Sequence, residues 1–191
     1  SVEGAGNTKI TLSGSNTLTG GDGHAGLEHN EKSKDDNDDS VDTGKLTITS
    51  EKDSGILTAT GGSGAAGIGG ARNNGAGIIE IAGGTITEAI GGDGGAGIGG
   101  GANSSKATTI NITGAAFIQK ATGGTGGAGI GSGKESSGAT NIEITGDALV
   151  SADSSGGAAI GSGESSTGET TINIHAVSYT HLRAHETLAN L

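Results

Sequence analysis

A short Ala-Gly-Ile-Gly segment recurs along this chain at a nearly constant interval. In its full form, Gly-Ala-Gly-Ile-Gly, it occurs at 95–99 and 127–131, with close variants at 66–69 and 158–161. The isoleucines of the four copies lie 30, 32 and 30 residues apart. A fixed period of this length is typical of proteins built from stacked repeats. We therefore expect the glycines of the segment to serve the architecture before any chemistry.

The composition favours a narrow core. Glycine contributes 42 of the 191 residues, proline is absent, and aromatic residues make up only 1%. Large side chains normally fill a globular core, but a core one or two side chains across needs only Ile, Leu, Val and Ala. Glycine-rich acidic chains can also remain unfolded. The regular placement of Ile pairs favours the folded alternative.

Each repeat contains three apolar points, and the first is an Ile-x-Ile pattern. Its copies are residues 79–81, 110–112, 142–144 and 172–174, with degenerate copies at 10–12 and 46–48. Alternate residues of a strand share a face. Both apolar residues of each copy are therefore predicted to point inward, and the middle residue outward.

The second apolar point is a short β-like stretch, and the third is the Ala-Gly-Ile-Gly segment itself. The second begins at Ile56, Ile86, Ile118 and Leu149, and three residues later come Ala59, Ala89, Ala121 and Ala152. A spacing of three breaks strict alternation, so we predict a bend or bulge there. The third point is interpreted as a core strand or corner.

Three short strands per repeat predict an all-β fold, a parallel β-helix of about five coils with roughly 30 residues per coil. Parallel crossovers are right-handed by default, so we expect a right-handed coil. The repeat pattern covers residues 1–176, which we assign to one domain. The chain starts at Ser1 in mid-pattern, and we expect it to be a piece of a longer protein.

The outward middle positions should form one row of polar side chains on the surface. This row is predicted to contain Thr11, Thr47, Glu80, Asn111, Glu143 and Asn173. Four of its members are the candidate ligand-binding residues, namely Glu80, Asn111, Glu143 and Asn173. Their amide and carboxylate groups could hydrogen-bond a glycan. Sugar sites usually also contain aromatic residues, and Phe117 is the only one before residue 177.

Residues 28–42 interrupt the period and are predicted to form an acidic loop insertion. Four carboxylates in this stretch supply the hard oxygen ligands that calcium prefers. They are Asp35, Asp36, Asp38 and Asp39. Two interpretations stay open, a solvated acidic loop or a weak calcium site. No other cofactor is expected.

Residues 177–191 do not continue the repeat. They contain no glycine, and Tyr179, His181 and His185 fall within them. A coding sequence that can be written for residues 177–187 resembles a transposase-type sequencing adapter read in frame. We therefore interpret residues 177–191 as a non-native tail.

Several classes of function are disfavoured by charge and composition. The net charge of −11 leaves no basic surface for nucleic acid or anionic lipid. No stretch is apolar enough to insert into a membrane. The chain has no cysteine, and Arg72 is the only arginine before the tail. These features argue against an enzyme.

Most of the chain resembles a known class of repeat region. Residues 8–21 (TKITLSGSNTLTGG) are followed by KLTIT at 45–49, LTATGG at 57–62 and the Ala-Gly-Ile-Gly copies. This order resembles glycine-rich repeat regions of cell-surface proteins from gut Gram-positive bacteria. It is more loosely similar to a carbohydrate-binding parallel β-helix family with calcium sites. The resemblance covers about residues 4–176.

The resemblance implies an extracellular protein, secreted or on the cell surface. The first hypothesis is a non-catalytic structural or adhesive repeat domain, with glycans or a host or cell-wall surface as partners. The second is a carbohydrate-binding module that uses the polar face of the β-helix. The third is a remnant of a β-helix polysaccharide lyase or hydrolase.

Overall fold

The computed structural model of the chain describes residues 6–31, 44–51, 54–175 and 179–184. Within these residues every regular element is a β-strand, and all strand pairs are parallel. The strands belong to three sheets of six, six and five strands. The protein is therefore an all-β parallel solenoid, as the repeat period predicts.

Each coil contributes one strand to each sheet. The first sheet contains β1 (Thr8–Leu12), β4 (Lys45–Ser50), β7 (Gly77–Ile81), β10 (Thr108–Ile112), β13 (Thr140–Ile144) and β16 (Thr170–Ile174). The second contains β2 (Ser15–Thr19), β5 (Ile56–Thr60), β8 (Thr85–Ile90), β11 (Phe117–Thr122), β14 (Leu149–Ser154) and β17 (Tyr179–Ala184). The third contains β3 (Leu27–Glu28), β6 (Ile68–Gly69), β9 (Ile98–Gly99), β12 (Ile130–Gly131) and β15 (Ile160–Gly161).

The first sheet confirms the Ile-x-Ile interpretation and corrects its first copy. From β4 to β16 the two apolar residues of each Ile-x-Ile copy stack in register, and both are fully buried in β7, β10 and β13. In β1, however, Lys9 lies across from Thr47, and Thr11 lies across from Thr49. Thr11 was predicted to stack on Thr47 and does not. The backbone pairing is shifted by two residues, which preserves the alternation of faces.

The second sheet corrects the expected alignment of Ile56 and Leu149 with Ile86 and Ile118. Ile86 and Ile118 are fully buried, but they pair with Leu57 and Val150 rather than with Ile56 and Leu149. Ile56 points outward and is 37% exposed. The bulge predicted from the spacing of three lies in β8 and β11, where the register against β5 and β14 shifts by one residue. Strands β5 and β14, which flank the bulged pair, have ordinary alternation.

The third sheet shows why glycine follows each isoleucine. The side chains of Ile68, Ile98 and Ile130 are fully buried. The glycine after each has a φ angle between 133° and 144°, a region that side chains rarely adopt. A Cβ atom on Gly99 would overlap the carbonyl oxygen of Gly131 in the next coil. The predicted core strand or corner is confirmed, and glycine is required by both φ and close approach.

The core is one narrow cluster that runs through all coils. It consists almost entirely of Ile, Leu, Val and Ala. At the C-terminal end of the first sheet, Ile172 and Ile174 are 42% and 41% exposed, and β16 is the last strand of this sheet among the described residues. Burial therefore depends on stacking between coils, as in other solenoids.

Two segments predicted to depart from the repeat, residues 28–42 and 177–191, are only partly described by the structure. Glu28 and His29, placed by the sequence in the acidic loop, are buried, and Glu28 belongs to β3. Residues 28–31 are therefore part of the coil. In the C-terminal segment, the backbone of residues 179–184 forms β17, which pairs with β14.

Candidate functional site

The first sheet brings all four predicted ligand-binding residues into one row on its outer face. Glu80 lies across from Asn111, Asn111 across from Glu143, and Glu143 across from Asn173. Adjacent members are one strand spacing apart, about 4.8 Å. Thr47 and Lys9 extend the row toward the N-terminus. We call the row Lys9, Thr47, Glu80, Asn111, Glu143 and Asn173 the polar column.

Glu80 contacts two side chains of the neighbouring strand β4. The ammonium group of Lys45 forms an ion pair with Glu80 Oε2. Thr47 Oγ1 donates a hydrogen bond to the same oxygen at 3.3 Å. The Glu80 side chain is only 24% exposed. Glu80 thus contributes mainly to cross-strand contacts, and the sequence reasoning missed Lys45, although it lies two residues before Thr47 on the same face.

The C-terminal half of the polar column is open. The side chain of Asn111 is half-buried, whereas those of Glu143 and Asn173 are exposed. Among the described residues, no side-chain hydrogen bond or ion pair involves any of the three. Two amides and one carboxylate can therefore offer donors and acceptors to a ligand lying along the column.

A second polar row borders the open half. Thr109 pairs with Asn141, and Asn141 pairs with Thr171, two positions before the members of the polar column. Asn141 and Thr171 are exposed. The two rows form a flat surface of hydroxyl and amide groups with little charge. This chemistry suits hydrogen bonding to a neutral ligand that is rich in hydroxyl groups.

The turns beside the third sheet carry ion pairs that sequence reasoning did not identify. Arg72 Nη2 donates to Asp22 Oδ1 at 2.8 Å, and Lys134 Nζ lies 3.2 Å from Glu164 Oε2. The hydrogen bond to Glu164, together with its charge, raises the pKa of Lys134. Each pair joins residues of different coils, so these side chains link coils rather than form a ligand site.

At the N-terminal end, His24 and Glu28 border a cavity of about 520 Å³. His24 Nδ1 lies 2.8 Å from Glu28 Oε2, which also accepts the Ala25 N–H at 3.2 Å. Glu28 Oε1 accepts a hydrogen bond from Asn30 Nδ2 at 3.0 Å. Both oxygens of the buried Glu28 carboxylate therefore bind groups of its own coil, which assigns Glu28 a structural role.

The predicted calcium ligands Asp35, Asp36, Asp38 and Asp39 lie outside the described residues. The calcium site stays a prediction. In the part of the chain that the structure describes, no three His, Cys, Asp or Glu side chains come together as a metal site would require. Nor does that part contain a helix able to cross a membrane.

Comparisons with protein-family models, with curated proteins and with solved structures found no match for this chain. Its function must therefore be argued from its own surface and core.

Proposed function

We propose that the protein is a non-catalytic structural or adhesive repeat domain that acts outside the cell, on a bacterial surface or in secreted form. The observation that supports this best is the in-register stacking of all three sheets around one continuous core. Such a stack places one outward side chain per coil in each surface row. Repeated surfaces of this kind favour weak contacts that add up by avidity.

The turns support the same role because they leave little room for movement between coils. A Cβ atom on Gly62, Gly92 or Gly124 would overlap the backbone of the preceding coil. Backbone hydrogen bonds run between coils at the same turns, for example from Gly64 N to Asp93 O at 2.8 Å. A closely bonded backbone of this kind suits a rigid spacer. The partners would be glycans or a host or cell-wall surface.

A bead assay tests this role. Beads coated with the full chain should adhere to immobilised mucin or purified Gram-positive cell walls. Beads coated with the Gly99→Ala variant, whose coils cannot stack normally, should adhere less. Equal adhesion of the two preparations would contradict a role for the folded surface. Release of reducing sugars from pectin or other polysaccharides by the chain would contradict the non-catalytic assignment.

The polar column supports a second candidate function, a carbohydrate-binding module. Asn111, Glu143 and Asn173 are adjacent, solvent-accessible and free of side-chain partners among the described residues. A glycan chain lying across the strands would meet one polar side chain per coil. Each contact would be weak, and affinity would depend on the number of coils that are engaged.

A glycan array separates this function from the first. A dose-dependent signal that is lost in the Asn111→Ala, Glu143→Ala double variant would support binding at the polar column. The matched control is Lys120→Ala, an exposed residue on the second sheet. A signal that the double variant leaves unchanged would exclude the polar column as the binding surface of that glycan.

A further inference from the structure

An exposed aromatic ring lies on the second sheet, away from the polar column. Phe117 begins β11 and is 39% exposed, because the next residue, Ile118, takes the buried position. It borders a groove of about 370 Å³. We call this the Phe117 groove, formed by Gly84, Thr85, Ala115, Ala116, Phe117, Asp147 and Leu149.

The groove is assembled from three successive coils. Phe117 lies across from Thr85 on one side and from Leu149 on the other. These neighbours are each about 4.8 Å from it along the stack. The residues just before the strands include Gly84, Ala115 and Ala116, whose small side chains leave a recess beside the ring. Only the stacking of coils brings the ring, the recess and Asp147 together.

The chemistry of the groove is mixed. One wall is an aromatic face, and Asp147 places an exposed carboxylate beside it. Throughout the described residues, no hydrogen bond or ion pair involves the Asp147 side chain. An ionised carboxylate only accepts hydrogen bonds. A ligand that fits must therefore offer an apolar face to the ring and hydrogen-bond donors to Asp147.

We propose that the Phe117 groove binds one pyranose ring of a neutral glycan. The C–H face of the sugar lies against Phe117 and Leu149, and its hydroxyl groups donate to Asp147 and exchange hydrogen bonds with Thr85. The volume is at the lower end of the range for small-molecule sites. This site is on a different sheet from the polar column and does not depend on either function proposed above.

Two other ligand classes fit less well. Anionic ligands would be repelled by Asp147 and by the net charge of −11. A stable protein interface needs a total buried area of about 1,000 Å² or more. The outward apolar positions here are interrupted, because Thr85 separates Ile56 from Phe117 in the register of the sheet.

The chain contains no tryptophan, so Phe117→Trp would create a single fluorescent reporter at the site. We would titrate this variant with neutral tetrasaccharides of β-1,4-linked glucose and of N-acetylglucosamine, and titrate the unaltered chain by calorimetry. One contacted ring has about eleven heavy atoms, which predicts dissociation constants on the order of millimolar. At least one sugar should give saturable binding and shift the tryptophan emission.

Four variants make the test specific. Phe117→Ala should weaken binding at least tenfold, and Asp147→Asn should weaken it several-fold. Gln119→Ala, an exposed residue on the same strand outside the groove, should bind normally. Lys120→Ala, a second exposed residue of β11 outside the groove, should also bind normally. Circular dichroism checks folding, and Phe117→Leu replaces Phe117→Ala if the latter unfolds.

Three outcomes would overturn the proposal. The first is no saturable binding of either sugar up to about ten times the expected millimolar constant. The second is binding that Phe117→Ala or its leucine substitute leaves unchanged. The third is self-association of the unaltered chain in sedimentation velocity that Phe117→Ala abolishes, because the groove would then be a protein interface.

Discussion

At the scale of single residues, glycine in this protein has two distinct roles. Some glycines lie where an added Cβ atom would meet no neighbouring atom. Others occupy positions that no other residue can take. The glycines after Ile68, Ile98 and Ile130 belong to the second group, because their φ angles are positive and the next coil lies against them.

Gly99→Ala should therefore be strongly destabilising. A side chain at this positive φ costs about 1–3 kcal/mol, and overpacking against Gly131 adds about 1–3 kcal/mol. Urea unfolding followed by circular dichroism measures the sum. The matched control is Gly83→Ala, where a Cβ atom meets its nearest neighbour at an ordinary 3.8 Å. Equal unfolding midpoints for the two variants would contradict the proposed role of Gly99.

Glu31 is the residue whose protonation should affect stability most clearly. Burial raises its pKa, while a hydrogen bond from the Ala107 backbone and the charge of Lys106 oppose the shift. Among the described residues, its buried Oε2 atom has no hydrogen-bond partner. Because the pKa of Glu31 is higher in the folded chain than in the unfolded chain, its contribution to stability is greatest below the unfolded pKa of about 4.5. That stability is lost as pH rises through the folded pKa.

Glu31→Gln should consequently raise the thermal midpoint at pH 7 and have a smaller effect at pH 4. Glu169→Gln, at an exposed position, should change the midpoint little at either pH. A Glu31→Gln effect that is equal at both pH values would show that burial of the charge is not its cause.

At the scale of elements, strands β5, β8, β11 and β14 of the second sheet each have one buried face, and the register decides which residues occupy it. A shift of one residue exchanges the two faces. In β5 this choice places Leu57 inside, 1% exposed, and leaves its neighbour Ile56 outside.

The two neighbours in β5 should therefore respond differently to truncation. Leu57→Ala should destabilise the protein by about 2–5 kcal/mol, because it leaves a cavity in the core. Ile56→Ala should cost less than about 1 kcal/mol, because its side chain is already partly solvated. Chemical denaturation of both variants gives the comparison, and a larger loss for Ile56→Ala would mean that the register is wrong.

At the scale of the whole molecule, stability should vary along the stack. Each coil contacts only its neighbours, and the terminal coils have a neighbour on one side only. The exposure of Ile172 and Ile174 in β16, against full burial of Ile110 and Ile112 in β10, reflects this difference.

Amide hydrogen exchange should follow the same gradient. The amides of β7 to β12 should exchange most slowly, and those of β1, β2 and β16 fastest, because terminal coils can open without disrupting the centre. Mass spectrometry of peptic fragments resolves these segments. Uniform exchange across all coils would indicate one all-or-none unit instead.

The sequence by itself determined the architecture of this protein. The period of the Ala-Gly-Ile-Gly copies predicted a parallel solenoid, and the Ile-x-Ile alternation predicted the faces of the first sheet, since both are local patterns. It also predicted that Glu80, Asn111, Glu143 and Asn173 would be adjacent. The handedness of the coil, the calcium site and the non-native character of residues 177–191 stay predictions.

Only the tertiary structure decided which residues lie opposite one another in successive coils. It shifted Thr11 relative to Thr47, placed Leu57 rather than Ile56 in the core, and paired Lys45 with Glu80. It also assembled the Phe117 groove. The physical reason is common to all four. Each depends on register between strands about 30 or more residues apart, which is set by hydrogen bonding and packing across coils rather than by the local pattern.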